Sequence, residues 1–347
     1  MFQFSELKLP IIQAPMAGGI NTPGLASAVS NAGGVGSFGF SYSKPDKINK
    51  DLIETRALTN GAINANFFVF SPTKLPSKEI QSAALEAIKG LPIDGNFAVS
   101  IPQEPFFPNI ETQLDPIWRH RPEILTFHFG IPAKSVIERA HSLGISVGIT
   151  ATNLNEALEI ERSGANFIVA QGIEAGGHRG AFNPEEKDDD LSLGELVSKL
   201  VNVTSLPIVA AGAIMTGANI DVALKLGATA VQMGTAFLCC DEAGTSESHK
   251  EFLLNKKNIT TLFTKSFSGR RAQGINNEFI RIMEGKSILP FPIQNTLTNS
   301  IRKLAVENND GEYQSLWAGK SYDKIRSLPA KQLMIKLEEE IEKSQLK

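Results

Sequence analysis

An apolar run leads directly into a glycine-rich segment where Phe167-Ile168-Val169-Ala170 is followed by Gln171-Gly172-Ile173-Glu174-Ala175-Gly176-Gly177-His178-Arg179-Gly180. The run is typical of a buried strand, so a glutamine, paired glycines and a histidine leave the end of one core strand together. Glycines let a backbone approach a ligand closely, and histidine is suited to moving protons near neutral pH. The segment therefore predicts chemistry at a strand terminus.

Further apolar runs precede and follow this one and alternate with helical patterns. Helix signals include Thr22-Pro23, with proline in the first turn, and Asn153 with Glu156 as its capping-box partner. Eight strands alternating with helices predict an α/β fold, a parallel sheet closed into a (β/α)8 TIM barrel. The alternative is an open doubly wound sheet, but no early G-x-G-x-x-G lies between a strand and a helix. The predicted strands are 11–14, 35–38, 65–69, 124–128, 146–150, 167–170, 208–211 and 230–233.

Two parts of the chain break the alternation. Residues 92–122 are rich in proline and aromatic residues, which indicates an insertion near the barrel mouth. Beyond residue 243 only helical patterns are recognised, at 276–283, 294–308 and 328–343. The sequence therefore predicts a barrel over residues 1–243 and a smaller, mainly helical cap or substrate domain over 244–347.

Composition excludes several function classes. The formal net charge is -3, and no basic stripe favours nucleic acid. The acidic run 185–190 is interpreted as a solvated loop. Neither a signal peptide nor an apolar run long enough for a bilayer is recognised. Only Cys239 and Cys240 are present, which indicates packing residues and a cytoplasmic location.

No metal site is predicted. The five histidines are scattered, and H-E-x-x-H, C-x-x-C and G-x-S-x-G are all absent. His178 lies among glycines in a loop, where a functional role is favoured over a buried structural one. His128 ends a strand, so it faces either the barrel mouth or a packed neighbour.

Small residues follow the last two predicted strands. Gly212-Ala213 and Gly234-Thr235 each lead toward a helical turn, where backbone N–H groups can bind a phosphate. Either pair alone is compatible with a tight turn. Both together, at these two strands, favour a phosphate site.

Several stretches taken in order resemble the class I nitronate monooxygenase family, also called 2-nitropropane dioxygenases, over most of the chain. The matching stretches are 13–19 with Thr22-Pro23, 30–34, 66–68, 127–130, 171–180, 210–212, 232–237 and 267–270.

This resemblance implies a barrel that binds FMN without a covalent bond. It implies flavin contacts at thirteen positions at the ends of five predicted strands, which by matching position are Pro15, Met16, Ala17, Asn66, Gln171, Gly176, Gly177, Gly212, Ala213, Gln232, Met233, Gly234 and Thr235. Ala213 departs from the family, which often has glycine there. Its N–H is kept, so phosphate binding is expected unless the site needs a positive φ.

The resemblance also implies an activity. Family members oxidise alkyl nitronates such as propionate 3-nitronate with O₂, without NAD(P)H, to carbonyl compounds and nitrite. His178 matches the family's catalytic, substrate-binding histidine, and His128 is a further pocket residue. Arg179 either attracts an anionic nitronate or anchors its loop to Glu174 or the acidic run.

Two alternatives remain open from the sequence. One is an FMN- and NAD(P)H-dependent reductase of the enoyl-acyl-carrier-protein type, which shares a Gly-Gly-His loop. The other is a flavin-binding protein without turnover. The oligomeric state is not predicted.

Overall fold

Strands and helices alternate in the computed structural model, which describes residues 1–256 and 259–346. The strands are β1 (Ile11–Gln13), β2 (Gly36–Gly39), β3 (Ile63–Phe68), β4 (Ile124–His128), β5 (Ser146–Ala151), β6 (Phe167–Gln171), β7 (Gly177–His178), β8 (Ile208–Ala211), β9 (Ala230–Met233), β10 (Thr261–Thr264) and β11 (Ala272–Ile275). Eight of them pair in the order β1-β9-β8-β6-β5-β4-β3-β2. Every pairing between neighbours in that order is parallel.

The two ends of this sheet meet. Val35, just before β2, donates its N–H to Ile11 O at 2.9 Å, and Gln13 N donates to Val35 O at 2.9 Å. This closes the sheet into a barrel, as predicted, and excludes the open doubly wound alternative. Because each strand is buried on both faces, it reads as an apolar run in the sequence. Phe167, Ile12 and Val209 fill the barrel interior.

The helices are α1 (Pro23–Asn31), α2 (Pro45–Leu58), α3 (Lys78–Lys89), α4 (Ile110–His120), α5 (Lys134–Ser142), α6 (Leu154–Ser163), α7 (Leu193–Leu200), α8 (Gly217–Lys225), α9 (Glu247–Leu254), α10 (Glu278–Met283), α11 (Ile293–Leu297), α12 (Asn299–Glu307) and α13 (Ala330–Gln345). The last of them, α13, packs on α8 and α1. The end of the chain thus returns to the outer helical layer of the barrel.

The region 92–122 differs from a simple insertion at the mouth. Its second half forms α4, an amphipathic helix that packs on α2 in the outer layer. The helix before it, α3, instead buries Ala84 and Ile88 against residues of the cap. Burial, which depends on partners distant in sequence, decides which helix joins which layer.

Only one of the two hydrogen bonds of the predicted capping box of α6 is present. Asn153 accepts a hydrogen bond from Glu156 N, as expected. The Glu156 carboxylate turns elsewhere and accepts from Thr152 N at 2.6 Å and Phe182 N at 2.7 Å. It therefore secures the loop after β7 rather than the start of its own helix.

The cap contains a small sheet as well as helices α9 to α12. Its strands follow the order β10-β11-β7, and both pairings are antiparallel. Strand β7 belongs to the glycine-rich segment that follows β6, and His178 pairs with Ala272 of β11. This segment thus joins the barrel to the cap.

Candidate active site

A cavity of about 720 Å³ lies between the carboxyl ends of the barrel strands and the cap. Ligands occupy this end in barrels of this type. The cavity brings together all the predicted site residues except Met233, and these are Pro15, Met16, Ala17, Asn66, His128, Gln171, Gly176, Gly177, His178, Gly212, Ala213, Gln232, Gly234 and Thr235.

The predicted phosphate site has donors without acceptors. Gly212 and Ala213 follow β8, and Gly234 and Thr235 follow the neighbouring strand β9. None of these four N–H groups donates to a protein acceptor within residues 1–256 and 259–346. Buried or half-buried N–H groups need a partner, and a phosphate with several acceptor oxygens satisfies such a set. The residues present therefore fit a phosphate-bearing group.

Ala213 lies in the left-handed region, with a φ of +50°, directly after Gly212 at +127°. The sequence predicted that phosphate binding survives unless a positive φ is needed at this position. The backbone does have a positive φ here, but alanine adopts it at a cost of roughly 1 kcal/mol. Ala213 thus keeps the conformation that glycine would adopt freely, and its N–H remains available as a donor.

We expect Ala213→Gly to stabilise the protein by about 0.5–1 kcal/mol, because glycine removes the strain at positive φ while losing some chain entropy. Chemical denaturation of the flavin-free protein measures the change. Ala211→Gly is the matched control, since Ala211 lies in the extended strand β8 and should lose stability. Equal losses in both variants would contradict the strain.

His178 is held by the cap sheet. Its Nε2 lies 2.8 Å from Ser268 Oγ, which is also 3.1 Å from Arg270 O. The Ser268 hydroxyl has a single hydrogen. It either donates to Arg270 O and accepts from Nε2–H, or it donates to Nε2. His178 Nδ1 makes no hydrogen bond in the described part of the chain. The ring thus presents Nδ1 either as a lone pair or as an N–H donor.

Aromatic rings surround this histidine. The ring centroids of Trp317, Phe291, Phe129 and Phe68 lie 5.6, 5.7, 5.8 and 6.0 Å from that of His178. Burial, with the charges of Arg270, His128 and Arg302, lowers the pKa of His178 to about 3. The imidazole is therefore neutral at physiological pH.

His128 braces the segment that carries His178. Its Nε2 lies 3.2 Å from His178 O and its Nδ1 lies 3.0 Å from Thr150 Oγ1. Since the carbonyl can only accept, Nε2 carries the proton and Nδ1 accepts from the threonine. Burial lowers the pKa of His128 to about 3, which keeps this neutral form. Both ring nitrogens are engaged, so the geometry supports a positioning role rather than the predicted substrate contact.

A model of the family described as "Nitronate monooxygenase" matches residues 1–340. The chain belongs to the nitronate monooxygenase family. A nitronate monooxygenase of Paraburkholderia phytofirmans is 39% identical over 96% of this chain and 93% of its own length. Members of this family are flavin-dependent oxidoreductases.

Two solved structures resemble this family member. One is a nitroalkane oxidase from Streptomyces ansochromogenes, with a TM-score of 0.91 and 32% identity over 99% of this chain and 98% of that one. The other is FabK from Thermotoga maritima, with a TM-score of 0.75 and 26% identity over 98% of this chain and 95% of that one.

Gln171 and Arg179 close the loop of this nitronate monooxygenase family member onto the barrel. Gln171 Nε2 donates to His178 O at 3.0 Å, and its Oε1 accepts from Gly180 N at 2.8 Å. Arg179 Nε and Nη2 bind the Asp188 carboxylate at 2.7 and 2.9 Å. Of the two predicted interpretations of Arg179, the structure therefore supports an anchor to the acidic run.

Asp188 is the exception within that run, whose other members are exposed as predicted. Its side chain is 9% exposed and also lies 3.1 Å from Arg271 Nη1. Burial raises the pKa of Asp188, but the hydrogen bonds and charge of Arg179 outweigh this and hold it below its ordinary value.

We expect Asp188→Asn to destabilise the protein by about 3 kcal/mol, because it leaves the buried Arg179 without a counter-charge. Chemical denaturation at neutral pH measures this, and Glu186→Gln, on an exposed residue of the same run, is the control. A depressed folded pKa stabilises the protein above the unfolded pKa of about 3.9, and that contribution disappears as pH falls through the folded value. The difference between variant and wild type should therefore shrink toward acid.

Glycine at position 176 is required by the cap. A Cβ there would lie 2.5 Å from Ala318 C and 2.5 Å from Gly319 N. The predicted contact of Gly176 with a flavin stays a prediction. The structure gives a separate reason for glycine here, because a cap segment occupies the space that a side chain would need. Gly177 is different, because its φ of +77° is the feature that favours glycine.

Met233 is not among the described residues that line the cavity, so its prediction as a cofactor contact gains no support from the structure. Side chains alternate along a strand, so Gln232 reaches the cavity while Met233 points into the core between sheet and helices. Its carbonyl accepts from Ala14 N at 2.8 Å and thereby fixes the residues that follow β1.

Sequence reasoning missed part of the cavity. Thr245 and His249 also line it, and Thr245 Oγ1 and His249 Nε2 are buried without a hydrogen-bond partner in the described residues. Burial lowers the pKa of His249 to about 4. Its polar surroundings in sequence give no local signal of burial. Tyr42, Arg302 and Trp317 are also lining residues that no motif indicated.

The predicted packing role of the two cysteines is confirmed. Cys239 and Cys240 are buried free thiols that pack in the core. Lys303 is among the residues that line the cavity, but its side chain is 75% exposed and lies 3.9 Å from Glu307 Oε1. No group of three or more metal-binding side chains occurs within the described ranges. No helix among those residues is long and apolar enough to cross a bilayer.

Proposed function

We propose that this protein uses FMN to oxidise alkyl nitronates with O₂ to carbonyl compounds and nitrite, without NAD(P)H. The observation that carries the proposal is that one cavity combines two features. It contains four backbone N–H groups, after β8 and β9, that have no protein acceptor in the described residues, and it contains the neutral imidazole of His178 among aromatic rings. Membership in the nitronate monooxygenase family supports the same reaction.

The flavin proposal rests on where the donors lie. Gly212, Ala213, Gly234 and Thr235 would hold the FMN phosphate through backbone N–H groups. Residues 15–17 and Asn66 line the same cavity at the ends of β1 and β3. When bound, FMN supplies the electron-accepting chemistry and returns electrons to O₂.

The state of His178 supports nitronates as substrates over neutral nitroalkanes. A base whose pKa is about 3 gives little driving force for removing a proton from carbon. A nitronate has already lost that proton, so it needs a hydrogen-bond donor instead. Ser268 Oγ, 2.8 Å from Nε2, allows the tautomer in which Nδ1–H donates to the nitro group.

Aromatic side chains exclude water around the reacting group. Phe68 and Phe129 lie with centroids 4.4 Å apart, and Phe291 stacks on Phe70 at 5.7 Å. A dry enclosure strengthens each hydrogen bond made inside it. It also accommodates the alkyl part of a nitronate.

Anaerobic stopped-flow mixing tests the proposed reaction. Propionate 3-nitronate should bleach the flavin absorbance of the purified protein rapidly, whereas NADPH should not. Rapid bleaching by NADPH would instead support the reductase of enoyl-acyl-carrier-protein type, whose members share a loop like Gly176-Gly177-His178. If neither compound reduces the flavin, the protein binds flavin without turnover.

A further inference from the structure

Arg302 on α12 lines the cavity close to the site of His178. Its Nη2 donates to Asn295 O at 2.7 Å, and its Nε donates to Thr298 Oγ1 at 3.2 Å. Thr298 in turn donates to Phe267 O at 2.7 Å, and Phe267 precedes the serine that contacts the histidine. The remaining nitrogen, Nη1, makes no hydrogen bond within the described residues.

This guanidinium has no carboxylate partner in the described part of the chain. Burial lowers the pKa of Arg302, and the only group that opposes this is Tyr42. Arg179, by contrast, is matched by Asp188. Arg302 is half-buried, and a cation held partly out of water without an anion is costly, so the site indicates an anionic ligand.

The rest of the cavity wall has the same character. Among the described residues that line it, none is an aspartate or a glutamate. Tyr42 lies on the same wall, and its Oη is buried without a hydrogen-bond partner. Its ring is 5.6 Å from that of Phe68, which in turn is 6.0 Å from the His178 ring. The unbonded guanidinium nitrogen thus belongs to a residue of the cavity wall, and Arg302 lies close enough to Tyr42 and His178 for its charge to favour a lower pKa in each.

We propose that Arg302 binds the negatively charged nitronate group of the substrate and makes the site selective for nitronate anions. This rests on the proposed function. A guanidinium presents paired donors that match two oxygens of a planar oxyanion. His178 supplies a hydrogen bond but no charge, so the charge that distinguishes a nitronate from a nitroalkane comes from α12.

Nitrate is a suitable probe, because it is a planar oxyanion like the nitro group. Sodium nitrate should quench Trp317, whose ring is 5.6 Å from that of His178, and should perturb the flavin spectrum of the flavin-loaded protein. In Arg302→Gln the nitrate Kd should rise roughly 10- to 100-fold, as expected for a lost charge-assisted hydrogen bond. Lys336→Gln, which removes an exposed charge on α13 away from the cavity, should change it less than about twofold.

Steady-state kinetics with ethylnitronate give the second readout. Arg302→Gln should raise KM on the order of 10-fold or more with a smaller change in kcat, and Arg302→Lys should lie between it and wild type. Arg302→Lys, which keeps the charge but not the paired donors, tests the site if Arg302→Gln does not fold. Unchanged nitrate affinity and KM in Arg302→Gln, or in Arg302→Lys where only that variant folds, would overturn the role of Arg302.

The two proposals fail separately. A wild-type protein that binds nitrate through Arg302 but does not oxidise nitronates would contradict the proposed reaction and leave the anion site intact. A protein that oxidises ethylnitronate equally well in wild type and Arg302→Gln would retain the reaction and remove the arginine from substrate binding.

Discussion

His178→Ala should reduce kcat/KM for nitronates on the order of 100-fold or more while the purified protein stays yellow. The ring lines the cavity and its Nδ1 makes no hydrogen bond within the described residues, whereas both ring nitrogens of His128 are engaged. The predicted phosphate donors belong to the ends of β8 and β9, so flavin retention should not depend on it. Nitronate turnover and the flavin-to-protein absorbance ratio measure the two effects.

His141→Ala is the matched control. His141 lies on α5 in the outer layer, and its Nε2 contacts Asn166 Oδ1 at 2.9 Å. Its loss should leave turnover unchanged. Ser268→Ala should fall between the two variants, because the ring remains but loses the group that fixes its orientation. Full activity in His178→Ala would remove this histidine from the reaction.

Gly234→Leu should produce a nearly colourless protein. A Cβ at this position would lie 3.3 Å from Ala14 Cβ and 3.9 Å from Met16 Sδ, so a longer side chain must extend into the cavity. There it would occupy the space beside the N–H groups of Gly234 and Thr235. We expect FMN affinity to fall roughly 100-fold or more, since a lost phosphate contact removes several charge-assisted hydrogen bonds.

Gly234→Ala separates this effect from a general loss of folding. The backbone φ of Gly234 is −107°, which alanine adopts without strain, and its Cβ needs only a small shift of Ala14. This variant should keep most of its flavin. FMN titration followed by fluorescence quenching gives both affinities. An undiminished flavin content in Gly234→Leu would contradict the phosphate site.

The barrel was predictable because its determinants are local. Each of the eight strands lies at or next to its predicted range, since a strand buried on both faces is apolar throughout. The capping residues Thr22, Asn153 and Thr216 accept hydrogen bonds from the first turns of their helices. An N-cap side chain bonds an N–H group only two or three residues further along the chain, so the sequence alone reveals it.

The parts that were missed depend on distant partners. The two-residue strand β7 is defined only by its pairing with β11, almost a hundred residues later. The division of α3 and α4 between cap and barrel follows from packing, which no local pattern records. The orphaned polar atoms of Tyr42 and His249 likewise emerge only when the cap covers the barrel.

The antiparallel pairing of His178 with Ala272 has a consequence for how substrate enters. The histidine lies on a strand of the cap sheet, and its carbonyl also accepts hydrogen bonds from Gln171 and His128 of the barrel. If the cap sheet moved away from the barrel to admit substrate, it would carry the imidazole with it. The active site would then be incomplete for as long as that entrance was open. Gly18 lines the cavity, is exposed, and has no atom within 4 Å of the position of an added Cβ. Substrate that enters beside Gly18 would leave His178 in place.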